Sequence, residues 1–132
     1  MAGETNLSEL LKGMMPKLNT GDYVFSSIQD LSLIDRNDTI CEFKEQEGTT
    51  IVIRKEKADQ LNLNYDYIAS WITLMIHSSL DAVGLTAVFS TTLAKHGVSC
   101  NVISGYYHDH IFVDKKDSEK AIQVLLELSE KQ

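Results

Sequence analysis

The sequence predicts an α+β protein of two similar small units, each with an antiparallel sheet and helices on one face. Residues 70–113 read as strand, helix, strand and returning hairpin strand, and a further helix follows at 117–128. Residues 39–54 read as another hairpin, which contradicts the alternative of an open parallel sheet with a helix after every strand. The order strand-helix-strand-strand-helix predicts ferredoxin-like units in tandem.

The second half of the chain carries the clearest pattern. From Ser70 to His77, apolar side chains lie on both faces of a period-2 pattern, which predicts a strand with neither face fully solvated. Apolar spacing predicts an amphipathic helix of about three turns from Leu85 to His96, and Gly97 is expected to end it. A strand at 98–103 then turns back to 111–113.

The first half is a weaker version of the same pattern. Asn6 is expected to cap a short helix that ends at Gly13 and Pro16 and must dock on another element. Residues 23–28 are rich in β-formers, and the turn-like stretch 29–38 stands where a helix would be expected.

An internal repeat supports the division into two units. The stretch 51–58, a last strand followed by a helix start, resembles 111–121 at an offset of 60 residues. We therefore predict a degenerate unit with an N-terminal helix at 1–64 and a second unit at 65–132, with the connector lying at 62–66.

Composition and charge narrow the class of protein. A hydrophobic fraction of 43% is ordinary for a globular chain, and no apolar run approaches the roughly 18 residues of a membrane span. The net charge of −7 disfavours nucleic acid and anionic membranes as partners. Without a signal-peptide pattern we expect a cytoplasmic protein, with Cys41 and Cys100 reduced and buried rather than joined in a disulfide.

The best candidate site is the loop from Ser78 to Gly84, between a predicted strand and a predicted helix. Backbone N–H groups at a helix start are unpaired and lie at the positive end of the helix dipole, so a carboxylate fits there. Gly84 would let a ligand approach the backbone, and Asp81 could pair with an ammonium group. The alternative is that Ser79 or Asp81 only caps the helix.

These residues resemble the ACT domain, a small-molecule-sensing module found in aspartokinases and other enzymes of amino-acid metabolism. The resemblance rests on GLTAVFSTTLAKHGVSCNVIS, with its helix-opening glycine and its helix-ending HGVS. HSSLDAVGLTA and SCNVISGYYHDHIFV are more closely similar to small, uncharacterised bacterial proteins built of two ACT-like units. The resemblance is strong over about 67–128 and weaker towards the N-terminus.

The resemblance implies that an effector lies at an interface between two units, held by this loop and by the second strand of a neighbour. The residues so implicated are Asp81, Val83, Gly84 and Leu85 in the loop and Asn101, Val102, Ile103 and Ser104 on the strand. Asn101 could instead face solvent or bond the backbone. Ser-Gly-Tyr-Tyr after Ile103 departs from the aspartokinase pattern, which argues against lysine or threonine as the effector.

Tyr106 to His110 form the other conspicuous cluster. His108 and His110 share a face of an extended segment, with Asp109 opposite, and zinc would need further ligands such as His77 or His96. The plainer interpretation is a polar turn flanked by aromatic side chains. Because nothing in the sequence places a third ligand beside the two histidines, we expect no metal. Glycine-rich phosphate loops, dinucleotide motifs and GxSxG are absent from the sequence, so we expect no cofactor and no enzyme activity.

We therefore predict a non-catalytic regulatory protein that binds a small molecule, and we expect this small molecule to be an amino acid. It would act through ligand-linked oligomerisation, as a homodimer or homotetramer, or through a partner enzyme. The alternatives are a protein-interaction module that binds no ligand, and an enzyme in which His108, Asp109 and His110 converge. The unit at 1–64 is expected to have lost its site.

Overall fold

The computed structural model describes residues 6–76 and 83–132 and divides the chain into two compact units. The central unit is Thr20–Ala69, from the middle of the chain. The terminal unit combines residues 6–19 with residues 70–76 and 83–132. The N-terminal segment thus packs with the second repeat, and the predicted division along the chain, 1–64 and 65–132, stays a prediction.

The helices are α1 (Leu7–Gly13), α2 (Lys55–Gln60), α3 (Leu85–Lys95) and α4 (Ser118–Glu130). The strands are β1 (Met15–Leu18), β2 (Tyr23–Ile28), β3 (Thr39–Lys44), β4 (Thr49–Arg54), β5 (Ile68–Met75), β6 (Cys100–Ser104) and β7 (Asp109–Asp114). Short 3-10 helices lie at Leu31–Leu33, Arg36–Asp38 and Lys115–Asp117.

The terminal unit is an antiparallel sheet with α1, α3 and α4 on one face. Its strand order is β1-β5-β7-β6, and β5 contributes its later residues, with Ile72 paired to Leu18 and Met75 paired to Met15. The core holds side chains from all three helices and from the inward face of the sheet. These include Leu10, Leu11, Met14, Ile72, Leu74, Leu85, Phe89, Leu93, Ile111, Val113, Ala121, Val124 and Leu125.

The central unit has the strand order β3-β4-β2-β5, with only Ile68 and Ala69 of β5 paired to β2. Two 3-10 turns stand in place of the first helix, as the broken sequence at 29–38 predicted. Asp30 and Asp35 accept hydrogen bonds from the backbone N–H groups of Ser32 and Asn37, which stabilises these turns. A smaller core results, of Val24, Ile34, Ile51, Ile53 and Ala58.

Most predicted elements are confirmed within one or two residues. Asn6 caps α1 by accepting a hydrogen bond from the N–H of Glu9, and Gly97 adopts φ 76° directly after α3 and its capping residue His96. Strand β1 was missed, because Pro16 lacks a backbone donor and reads as a strand breaker. The structure accommodates Pro16 because, within residues 6–76 and 83–132, β1 pairs with β5 alone and so leaves one edge without a strand.

Each unit is therefore an α+β, ferredoxin-like arrangement, as predicted. The terminal unit is complete only when the N-terminal β1 is counted as its fourth strand. Across residues 6–76 and 83–132, no helix combines the length and apolar character that crossing a bilayer requires.

Candidate functional site

The predicted site centres on the first turn of α3, in the terminal unit. Gly84 precedes the helix with φ 92°, a left-handed conformation that favours glycine. Leu85 is buried in the core and anchors the helix, whereas Val83 is 85% exposed. Within the described residues no side chain caps α3, and its first turn carries no acidic residue. No acidic side chain of the helix's own first turn therefore offsets the positive end of its dipole.

One side of Gly84 is occupied by a residue that the sequence did not connect with it. A Cβ built on Gly84 would lie 3.5 Å from Leu7 Cδ2, in ordinary van der Waals contact. Leu7 begins α1, so α1 packs beside the start of α3. An apolar side chain thus borders the predicted binding loop at Gly84. Ser79 and Asp81, which were also predicted to line it, lie outside the described residues.

The predicted strand residues Asn101, Val102, Ile103 and Ser104 lie in β6, at the end of the terminal unit's strand order. Asn101 is exposed, and its Nδ2 lies 3.4 Å from the Phe112 carbonyl oxygen, a long hydrogen bond. Val102 packs on the core, Ile103 is half-buried and Ser104 is exposed. Because β7 is the strand partner of β6 among the described residues, the other edge of β6 is open to an added strand.

Both cysteines are free thiols in the structure and are half-buried rather than fully buried as expected. Cys100 packs against the core at the start of β6, and burial raises the pKa of its thiol to about 11. Burial also raises the pKa of Cys41, with a further contribution from the Glu42 carboxylate. Thiols with raised pKa values carry little thiolate near neutral pH, so neither residue is built as a nucleophile.

The histidine cluster does not converge on one point. Trp71 Nε1 donates to His110 Nδ1 at 3.1 Å, on the helix-free face of the sheet. Asp109 precedes His110 in β7, so its side chain lies on the opposite face, and the residue as a whole is 8% exposed. His108 Nδ1 lies 3.3 Å from the Ile76 carbonyl oxygen. Among the described residues, no three histidine, cysteine or carboxylate groups cluster as metal ligands would.

The contacts of His110 fix its tautomer. The indole N–H of Trp71 can only donate, so Nδ1 of His110 must accept and carries no proton. Thr73 Oγ1 lies 3.2 Å from the same nitrogen and itself accepts a hydrogen bond from Asn19 Nδ2. Burial lowers the pKa of His110, the neighbouring His108 lowers it further, and Asp109 opposes the shift.

This geometry predicts a pH dependence of stability. The folded-state pKa of His110 lies below the ordinary value of 6.5, so the unfolded chain takes up the proton first as the pH falls. The contribution of His110 to the free energy of unfolding is therefore fully present above about pH 6.5 and is lost on acidification. We expect the free energy of unfolding, measured in urea, to fall more between pH 7.5 and pH 5.5 in the wild type than in His110→Gln. Equal losses in both proteins would contradict the assignment.

The central unit has a shallow depression that the sequence analysis did not single out. It encloses about 360 Å³ and is lined by Gly21, Asp22, Arg54, Lys55, Glu56 and Asp59. Its two cations are already paired, since Lys55 Nζ lies 2.9 Å from Asp59 Oδ2 and Arg54 Nη1 lies 3.9 Å from Glu56 Oε1. In the sequence, the one feature that could have indicated this depression is the charge-rich start of α2. An open surface whose two cations are each paired with a carboxylate favours no particular ligand.

Comparison with known proteins agrees with the fold. One ACT domain family profile matches residues 2–70 and a second matches residues 67–127. The chain is similar to a Vibrio cholerae protein of unknown function described as a possible transport protein. The identity is 48%, over 93% of this chain and 95% of that one, with a TM-score of 0.82. No curated protein matches the chain.

More distant solved structures share the fold. An Agrobacterium tumefaciens protein is 18% identical, covers 88% of this chain and 89% of its own, and gives a TM-score of 0.73. The ligand-free regulatory subunit of aspartate kinase from Thermus thermophilus is 8% identical, with coverages of 86% and 95% and a TM-score of 0.62. At these identities the likeness concerns fold alone.

Two ferredoxin-like units in tandem, with a glycine-started helix after β5 in the terminal unit, are the arrangement of ACT domains, which are in general small-molecule-binding regulatory modules. The chain belongs to the ACT domain family.

Proposed function

We propose that this chain is a non-catalytic regulatory protein that binds an amino acid at the start of α3. The observation that carries the proposal is Gly84, whose positive φ begins a helix that no described side chain caps. Helix-start N–H groups have no intrahelical acceptors, and a carboxylate bound there would satisfy them and interact favourably with the helix dipole. ACT domains are in general small-molecule-binding regulatory modules, which supports this choice over other uses of the fold.

The loop contributes Val83, Gly84 and Leu85, and Ser79 and Asp81 are proposed to complete it. The open edge of β6 would contribute from a neighbouring copy, through Asn101, Val102, Ile103 and Ser104. Asn101 suits this role because its amide is exposed and its long bond to Phe112 leaves donor and acceptor capacity for a ligand. The proposal therefore includes a homodimer or homotetramer in which one copy's strand edge faces the other's helix start.

Regulation would act through ligand-linked oligomerisation or on a partner enzyme. The similarity in fold to an aspartate kinase regulatory subunit supports a partner in amino-acid metabolism. The net charge of −7 disfavours nucleic acid and anionic membrane surfaces as alternative partners, and we place the function in the cytoplasm.

A thermal-shift screen of the twenty L-amino acids and common nucleotides tests the proposal. Any compound that binds only the folded state stabilises it, by about 2.7 kcal/mol at 100 times its dissociation constant. We expect at least one amino acid to raise the melting temperature and no nucleotide to do so. A screen in which no amino acid produces a shift at millimolar concentration would contradict the proposed function.

The second candidate is a protein-interaction module that binds no ligand. Leu7 beside Gly84 favours it, because an apolar side chain already covers part of the proposed site. Exposed Tyr106 and Tyr107, packed edge to face beyond β6, would suit a protein partner. The same screen separates the two candidates, since an interaction module predicts no shift from any amino acid.

A further inference from the structure

We propose that the open edge of β3 is an interface between two copies of this chain. The two β3 strands would pair antiparallel, with Phe43 of each copy on the two-fold axis. This interface belongs to the central unit, is separate from the binding site proposed above, and does not require a bound amino acid. Three observations support it: a free strand edge, an exposed phenylalanine and the order of charges beside that phenylalanine.

The free edge carries the backbone groups of Glu42 and Lys44. Within the part of the chain that the structure describes, β3 pairs with β4 alone. The N–H of Glu45 donates to the Gly48 carbonyl oxygen at 3.0 Å, and hydrogen-bonded positions alternate along an antiparallel ladder. Phe43 therefore bonds β4 through its backbone, whereas the N–H and C=O groups of Glu42 and Lys44 point towards the open edge.

The side chain of Phe43 lies on the face of the sheet that is opposite the core of the central unit. Its register partner Thr50 precedes the buried core residue Ile51, and alternation along β4 places these two side chains on opposite faces. Phe43 is 71% exposed. Contact with a second phenylalanine across the edge would remove apolar surface of both rings from water.

The charges beside Phe43 select one register for such a pair. If the strands are centred on Phe43, Glu42 lies opposite Lys44 of the second copy, and the reverse pair forms by symmetry. Registers centred on Glu42 or on Lys44 instead place two like charges opposite each other, which is destabilising. The favoured register also matches the backbone, because Glu42 and Lys44 are the residues whose N–H and C=O groups face the edge. Each of the two pairs would exchange two hydrogen bonds.

Two further features fit a pair that closes on itself. Arg36 Nε donates to Glu42 Oε2 at 2.6 Å, so the carboxylate is fixed beside the strand before a second copy arrives. A bulge between Thr39 and Cys41 interrupts the ladder, which limits regular pairing to the stretch from Cys41 to Lys44. Because the pair is isologous, it uses both free β3 edges and adds no third copy there.

Sedimentation velocity over a range of protein concentrations tests the interface. We expect the wild type to self-associate. Phe43→Glu places two carboxylates on the axis and should raise the dissociation constant of this association at least about tenfold. Leu33→Glu is the matched control, because Leu33 is a 74% exposed apolar residue of the same unit and lies outside β3. The control should associate like the wild type.

Cysteine cross-linking tests the register without a measurement of affinity. Across the axis the two copies of residue 43 form a non-hydrogen-bonded pair, whose Cα atoms lie about 4.5 Å apart, within the range of a disulfide. In a chain whose Cys41 and Cys100 are replaced by alanine, Phe43→Cys should therefore form a covalent dimer on mild oxidation. Gln46→Cys, exposed in the turn of the same hairpin, is the control and should not cross-link.

Three results would overturn the inference, and none of them bears on amino-acid binding at α3. A wild type that stays monomeric at millimolar concentration has no such interface. Unchanged association in Phe43→Glu would place the interface elsewhere. Absence of the covalent dimer in Phe43→Cys, or equal cross-linking in Gln46→Cys, would show that the strands do not pair in this register.

Discussion

Removal of residues 1–19 is expected to unfold the terminal unit, although most of that unit comes from the other end of the chain. Leu10, Leu11 and Met14 are each 2–3% exposed and pack in the core shared by α3, α4 and the sheet. Burial of such side chains contributes about 1.5–3 kcal/mol each, so the three together contribute ~5–9 kcal/mol. That sum approaches the whole stability of a typical domain, about 5–15 kcal/mol. The deletion also removes β1, the edge partner of β5.

Amide hydrogen exchange resolved by residue would measure this effect. We expect protection in α3, β6, β7 and α4 to be lost in the shortened protein and to return when a peptide of residues 1–19 is added. The substitution Leu11→Ala disturbs the same core less than the deletion does, and we expect it to lower the free energy of unfolding by about 2–5 kcal/mol. Glu9→Ala, exposed on the same helix, is the control and should stay within about 0.5 kcal/mol of the wild type. Full protection in the shortened protein would show that the N-terminal segment is dispensable.

Phe89→Ala is expected to be the most damaging single substitution on α3. Phe89 is fully buried, and it lies in the core one turn after Leu85, the residue that begins the helix. Truncation of a buried phenylalanine costs about 3–5 kcal/mol, through lost burial and the cavity left behind. Equilibrium unfolding in urea would measure this cost. Because α3 would lose its main anchor, binding at the helix start should weaken as well.

Thr91→Ala is the matched control, since Thr91 is exposed two residues further along the same helix. Its stability should stay within about 0.5 kcal/mol of the wild type. A cost below about 1 kcal/mol for Phe89→Ala would mean that the core can collapse around the missing ring and that α3 is held mainly by other contacts.

Local sequence signals predicted much of the fold, because they act over a few residues. Asn6 and Glu9 predicted the start of α1, and Gly97 predicted the end of α3. The hairpin at 39–54 was predicted because two β-rich runs flank a turn there. The pairing of β1 with β5 depends on residues more than fifty positions apart, and Pro16 obscured the strand itself. The missed element is thus one whose stability comes from tertiary contacts rather than from local preference.

The candidate site was predictable in part for the same reason. Gly84 before an amphipathic helix is a local pattern, and its positive φ agrees with it. The contact of Leu7 with Gly84 and the burial of Asp109 arise from the packing of distant segments, which no spacing in the sequence reveals. The order Tyr-Tyr-His-Asp-His indicated a shared face for the two histidines but not that Trp71 would accompany His110 there.

Amide chemical shifts give the most direct test of amino-acid binding at the start of α3. The uniformly ¹⁵N-labelled protein would be titrated with the amino acid that gives the largest thermal shift. We expect the largest changes at Leu85, Thr86 and Ala87, whose N–H groups open the helix, followed by β6. Saturable changes confined to Gly21, Arg54 and Lys55 in the central unit, with α3 unaffected, would contradict the account.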